Sequence, residues 1–270
     1  MIARVYICTM LWLGLSIAAM AQPTSSTFRE VQNKAFQKGE YLKYRIHYGI
    51  IDAGIATLEV RPKSYQKKGR NCLHIVCKNE TVGLFDTFYR VRDTYESYTD
   101  EKALISWQFN RDIQEGSYKS YREIHFDHKN QKAEYHRSTG EVVLHDVPVN
   151  VQDVISTYYF ARASYDHKKL EPGDKISLRN FIDETNFELQ AQVQKRETIK
   201  VNGQKYKALR LKIMIEEAGL ITDGSKITLW ISDDKNMIPL AFKSKLLIGS
   251  IRADLVEYKN LKNPFEARTS

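Results

Sequence analysis

Thr198-Ile-Lys-Val-Asn-Gly-Gln-Lys-Tyr-Lys-Ala208 is the stretch that decides the fold. Asn-Gly is the preferred pair for a two-residue type I′ turn, and β-branched and aromatic residues flank it, so it predicts a β-hairpin centred on Asn202-Gly203. Outward from it, Phe187–Lys195 and Glu197–Val201 precede the turn and Gln204–Glu216 follows it. Lys226–Ser232, Leu240–Leu247 and Ser250–Tyr258 then carry strand patterns to the carboxyl end, and Lys175–Leu178 opens this set. The amino-terminal half repeats the theme. In Tyr41-Leu-Lys-Tyr-Arg-Ile-His-Tyr48 the residues Leu42, Tyr44, Ile46 and Tyr48 alternate with Lys43, Arg45 and His47, the period of a half-buried strand. Similar segments follow at Gly54–Val60, Cys72–Asn79, Phe88–Tyr98, Ala103–Arg111, Ser117–Phe126, Lys132–Arg137 and Glu141–Leu144.

One interruption divides the two sets. Across 150–165, Val151, Val154, Ile155, Tyr158 and Tyr159 recur at steps of three and four, the stripe of an amphipathic helix, with Asn150 and Asp153 placed as a cap. No strand–helix–strand alternation occurs, which argues against a parallel sheet, and so many strands exceed what a flat open sheet tolerates. The expected fold is mostly β: an antiparallel meander curled into a barrel or half-barrel, or two packed sheets, with one helix at about 150–165.

The amino end has the three parts of a secretory leader: Arg4, the apolar run Val5–Met20 and the small-x-small site Ala19-Met20-Ala21. Cys8 lies near the start of that run, where a lipid-modified cysteine is not found. The expectation is a leader cleaved after Ala21, a periplasmic or secreted chain that is not a lipoprotein, and no transmembrane segment in the mature part. Residues 22–35 are expected to be flexible or briefly helical, with Phe28, Val31 and Phe36 on one side of a turn closed by Gly39. Residues 36–262 are expected to form one β domain and 263–270 a tail. The whole chain carries a net charge of +8 spread along its length, so a nucleic-acid role is not expected.

Chemistry is faint. No metalloprotease, nucleophile-elbow, phosphate-loop or dinucleotide motif is present, so the chain reads as non-catalytic, without cofactor or metal. Cys72 and Cys77 lie five apart on one strand and should point to opposite faces as free thiols. His125, His128 and His136 fall around one hairpin without converging. Asp233-Asp234 sits between two strands and reads as a turn. The aromatic residues Tyr44, Tyr48, Phe88, Trp107, Phe109, Tyr158 and Trp230 are the candidate lining of a hollow.

Four segments resemble the exported bacterial family known as domain of unknown function 3108. They are Lys38-Gly-Glu-Tyr-Leu-Lys-Tyr44 leading to Ala53-Gly54, Arg92-Asp-Thr-Tyr-Glu-Ser97, Asp153-Val-Ile-Ser-Thr-Tyr-Tyr-Phe-Ala-Arg162, and Leu229-Trp-Ile-Ser-Asp-Asp-Lys-Asn-Met-Ile-Pro239 leading to Ile248-Gly-Ser250. The resemblance implies a periplasmic or surface protein with a curved, barrel-like sheet, broadly similar to envelope proteins that carry lipoproteins or assist capsule export. It implies no reaction, and hints at a polar role for Asp153 and Arg162. At nine residues' separation these two differ by about 180° around a helix, so they do not form a pair; capping by Asp153 and packing or dipole compensation by Arg162 is the simpler reading. The expected function is binding of an apolar or amphipathic ligand, or of an envelope partner, in the hollow of the sheet by a monomer. The alternatives are an assembly factor for surface polysaccharide, contacting glycan through its basic outer face, and a hydrolase of unrecognised type.

Overall fold

The computed structural model describes residues 28–217, 220–222, 227–246 and 249–269. The leader, its cleavage site and the ends of two expected strands at Lys226 and Leu247 lie outside the described residues. The described residues form one 17-stranded sheet. β1 (Tyr41–Tyr48) is central, pairing antiparallel with β2 (Ile51–Val60) on one side and β16 (Ser250–Lys259) on the other. From β2 the ladder continues through β4 (Arg70–Thr81), β5 (Arg92–Asp100), β6 (Ser106–Glu115), β7 (Tyr118–Asp127) and β8 (Lys132–His136) to β9 (Val142–Asp146). From β16 it runs through β15 (Pro239–Lys245), β14 (Ile227–Ser232), β12 (Gln204–Glu217) and β11 (Thr185–Val201) to β10 (Lys175–Ile182). Short strands β3 (Tyr65–Lys67), β13 (Leu220–Thr222) and β17 (Arg268–Thr269) attach to β4 and β12.

Curling brings the two ends of this ladder, β9 and β10, toward each other without joining them. The gap is crossed by Gln152, whose N–H donates to the Arg179 carbonyl and whose carbonyl accepts from Phe181 N–H, both at 2.9 Å. Beside it, Asn186 donates to the Asp146 carbonyl at 2.7 Å. The sheet is thus an open barrel of antiparallel strands, as the alternating pattern implies.

The helix fills one half of the curl. α2 (Val154–Ser164) begins at Asp153, whose carboxylate accepts from Ile155 and Ser156 N–H while Ser156 Oγ accepts from Asp153 N–H. The capping box is therefore Asp153 with Ser156, not Asn150 with Asp153; Asn150 sits in the preceding turn at φ 58°. Val151, Ile155 and Tyr159 pack with Phe36, Phe109, Phe126 and Phe181 in the main core, Tyr159 edge-on to Phe36 at 4.6 Å.

Three other expectations change. Residues 28–36 form no helix but an extended strap, because Asn33 Oδ1 takes the N–H groups of Ala35 and Phe36 and Val31 N–H goes to the Lys102 carbonyl. Phe88 opens no strand: it ends the short helix α1 (Gly83–Phe88), and β5 starts at Arg92, whose guanidinium holds Asp86 at 2.7 Å. The carboxyl end is no free tail, since Phe265 packs on Tyr206 and Tyr258 and β17 pairs with β12.

Candidate functional site

Inward-facing residues of the carboxyl-terminal strands meet α2 at Phe160 and Ala161 without filling the space beside it, and a cavity of about 560 Å³ remains between them. Alternation along each strand builds its wall: Ile176 and Leu178 on β10, Leu189 and Ala191 on β11, Leu211 and Ile213 on β12, Ile227, Leu229 and Ile231 on β14. Tyr44, Ala56 and Cys77 close the side toward β1, β2 and β4, while Val154, Thr157, Tyr158 and Ala161 of α2 form the other. Small side chains, Ala56, Ala161, Ala191 and Ala253, leave the space that larger ones would occupy.

One charged pair borders this apolar space. The Arg162 guanidinium, on the last turn of α2, donates to both oxygens of Glu40 at 2.5 and 2.8 Å and to the Asn236 carbonyl at 2.8 Å. Both side chains are buried. Burial pulls the guanidinium down, but the Tyr158 phenol and the Glu40 carboxylate outweigh it and hold its pKa above the ordinary value. Burial likewise raises the Tyr44 and Tyr158 phenols and pushes the Cys77 thiol up to about 11. Tyr44 donates to the Pro239 carbonyl at 3.1 Å. At neutral pH the hollow therefore offers neutral phenols and thiol, and a cation whose charge Glu40 cancels.

The structure brings Tyr44, Tyr158 and Arg162 to this hollow. Phe109 stands in the filled half of the core, and Trp107 packs at 5.5 Å from Phe28 and 5.1 Å from His128 with its N–H on Asp100. Trp230 alternates with Leu229 and Ile231, so it lies on the outer face, bonded to Glu197 at 3.0 Å. Tyr48 leans on Phe85 beyond the cavity, and Phe88 is 79% exposed. Branched aliphatic residues thus make up most of the lining, with Tyr44 and Tyr158 the two expected aromatic residues that reach it. Asp153 is fully buried; burial raises its pKa, against hydrogen bonds from Ser106, Ser97 and the helix amides.

Cys77 faces the hollow while Cys72 is buried beside Trp107, so the two free thiols lie on opposite faces of β4 as expected. The histidines differ from expectation in part, since the rings of His125 and His136 approach to 4.9 Å, with His128 packed on the opposite face against Phe126. Asp234 makes the expected turn through Ser232 Oγ and Asn236 N–H. Its neighbour Asp233 instead pairs with Arg196 at 2.6 Å and His167 at 2.9 Å. Glu40 is a site residue without a sequence signal, since nothing local ties it to an arginine 122 residues away.

A single antiparallel sheet curled around a helix, open along one seam and hollow in one half, defines a β-barrel-like protein. The chain belongs to the family described as protein of unknown function DUF3108, whose model matches residues 43–256. Its fold is shared with a β-barrel-like protein of domain of unknown function DUF1849 from Brucella abortus, at TM-score 0.53 and 11% identity over 84% of this chain and 99% of that one. A protein from Bacteroides fragilis described as exported, with a YmcC-like fold, aligns at TM-score 0.33 and 10% identity over 85% of this chain and 99% of the other. One from Parabacteroides distasonis described as a lipoprotein aligns at TM-score 0.34 and 10% identity, over 86% and 99%. No curated protein matches the chain. Among the described residues no helix is long and apolar enough to cross a membrane.

Proposed function

We propose that this protein is an exported, non-catalytic carrier that holds the acyl part of an amphiphile in the hollow between α2 and strands β10–β12, β14 and β15. The observation that carries this reading is the cavity itself, about 560 Å³ and walled by Leu, Ile, Ala and Met side chains. That volume falls in the range of small-molecule sites, roughly 300–1,000 Å³. Each methylene removed from water contributes roughly 0.8 kcal/mol, so an acyl chain needs no specific polar contact to be held. Arg162 and Glu40 satisfy each other, which leaves neither as a free acid, base or nucleophile partner. The leader-like amino end supports a location outside the cytoplasm.

Titration with cis-parinaric acid, a fatty acid that fluoresces in apolar surroundings, tests the reading. Wild-type protein should bind it in the micromolar range or tighter, on the order of ten methylenes' worth of burial. Ala161→Phe, which places a ring in the hollow, should weaken binding at least about tenfold with the thermal midpoint retained. Absence of binding by wild type, or equal binding by the filled variant, would exclude the hollow as the site.

A further inference from the structure

The turns that end the strands fall into two rims. The strap of residues 28–39 and the carboxyl-terminal residues 260–267 cover one: Lys262 donates to the Asn33 carbonyl at 2.7 Å, Asn263 to the Lys34 carbonyl at 2.8 Å and Asn260 to the Gly39 carbonyl at 2.9 Å. β1 starts at that rim and runs to the opposite one, where the β1–β2 turn, α1 and the β15–β16 turn adjoin. Gly49 N–H donates to the Ser250 carbonyl at 3.2 Å, Val82 N–H to the Ala53 carbonyl at 3.1 Å, and the Tyr48 and Phe85 rings stand 6.3 Å apart.

This second rim carries bare apolar side chains. Ile50 is 99% exposed, Phe88 79% and Leu84 64%, and Ile51, Tyr89 and Leu246 are also exposed. Single exposed apolar residues are ordinary, but six on three adjoining turns are not. The same three stretches, 45–52, 83–92 and 243–252, hold six cations (Arg45, Arg90, Arg92, Lys243, Lys245 and Arg252) against two anions, Asp52 and Asp86. Counting Asp254, which takes Arg252 at 2.7 Å, and Glu115, which accepts from the Tyr89 hydroxyl at 3.4 Å, the balance is six to four. Apolar tips surrounded by surplus positive charge match one kind of surface: an interface whose headgroups are anionic and whose interior is hydrocarbon.

We propose that this rim docks the protein on an anionic lipid bilayer, with Ile50, Leu84 and Phe88 inserted among the acyl chains and the flanking Arg and Lys side chains at the headgroups. The assignment stands on the rim alone and does not require the hollow to hold a ligand.

Co-sedimentation with vesicles tests it, using the chain from Gln22 onward, which contains every described residue and lacks the apolar run before Ala21. Vesicles of phosphatidylglycerol and phosphatidylcholine should bind on the order of ten times more protein than phosphatidylcholine alone, less so at high salt. The double variant Ile50→Ser with Phe88→Ser should lose binding by a similar factor. Lys243→Glu with Lys245→Glu should lose the preference for anionic lipid. All variants should keep the wild-type thermal midpoint and bind cis-parinaric acid in solution as wild type does. Equal binding to both vesicle types, unimpaired binding by the Ile50–Phe88 variant, or loss of vesicle and cis-parinaric acid binding together would overturn the proposal. So would a dimer in sedimentation velocity that the Ile50–Phe88 variant dissociates, which would make a second copy the occupant of the patch.

Discussion

At Arg162 an entire guanidinium is removed from water, and Glu40, backbone carbonyls and the ring faces of Phe36, Tyr158 and Tyr159 replace the lost hydration. Removing one partner leaves an unpaired buried charge, so Glu40→Gln should destabilise the fold by about 3–5 kcal/mol in urea denaturation, and Arg162→Met by a similar amount. The pair replaced together, Glu40→Leu with Arg162→Met, should recover much of that loss, because the cost lies in the orphaned charge. A loss under about 1 kcal/mol for either single change would mean water reaches the pair. Asp100 gives a pH-dependent counterpart. Burial raises its pKa, but Arg70 at 2.5 Å, the amides of Lys102 and Ala103 and the Trp107 N–H together hold it below the usual 3.8. A carboxylate depressed on folding contributes stability above its unfolded pKa and loses it as pH falls through the folded value. Asp100→Asn should therefore be less stable than wild type at pH 7 by roughly 2–3 kcal/mol, and the difference should shrink below about pH 4. A gap that stays constant down to pH 2 would assign the effect to shape instead of charge.

Element by element, what was legible is what is local. Asn202 and Gly203 adopt φ 46° and 80°, and Val201 pairs with Gln204, the two-residue hairpin that their identities dictate. The β10–β11 turn has the same left-handed geometry at Asp183 and Glu184, without a glycine. It was not legible, because its support is remote: Arg111 binds Asp183 at 2.6 Å and Arg137 binds Glu184 at 2.7 Å, from across the seam. The strap of residues 28–36 has no local signature for the same reason, its backbone partners lying near Lys102 and in the carboxyl-terminal segment. Gly54 is legible only with hindsight. A Cβ there would stand 2.6 Å from the Glu80 carbonyl oxygen, so β2 and β4 approach as they do only because this residue is glycine. Gly54→Ala should cost about 2 kcal/mol or more, whereas Gly203→Ala, with open space around it but positive φ, should cost about 1 kcal/mol. Chemical denaturation of the two variants side by side would show the order, and a reversal would mean that β2 and β4 can separate freely.

Across the whole molecule, the sheet's curl and the helix inside it followed from strand count, antiparallel turns and one amphipathic stripe. The hollow's place did not. Aromatic residues were expected to line it, yet Phe109 fills the other half of the curl and Trp230 lies outside, because which face of a strand turns inward at a bulge is a tertiary matter. What makes the space is the set of alanines at Ala56, Ala161, Ala191 and Ala253, a signal indistinguishable from ordinary packing until the strands are assembled. Since neither Trp107 nor Trp230 faces the hollow, their fluorescence is a poor reporter of its contents, and Cys77 is a good one. In the chain from Gln22 onward Cys72 and Cys77 are the only thiols, so Cys72→Ser leaves a single probe on the cavity wall. Its thiol is held up to about 11 by burial, so labelling by a small methanethiosulfonate reagent should be slow and should accelerate as pH is raised. The most direct test is the rate of that labelling at pH 9 with and without a saturating 16-carbon fatty acid. An occupied hollow predicts a fall on the order of tenfold in the Cys72→Ser protein, and no such fall when Ala161→Phe is added, since that variant no longer admits the chain. A labelling rate indifferent to the fatty acid would contradict an acyl chain seated between α2 and the carboxyl-terminal strands.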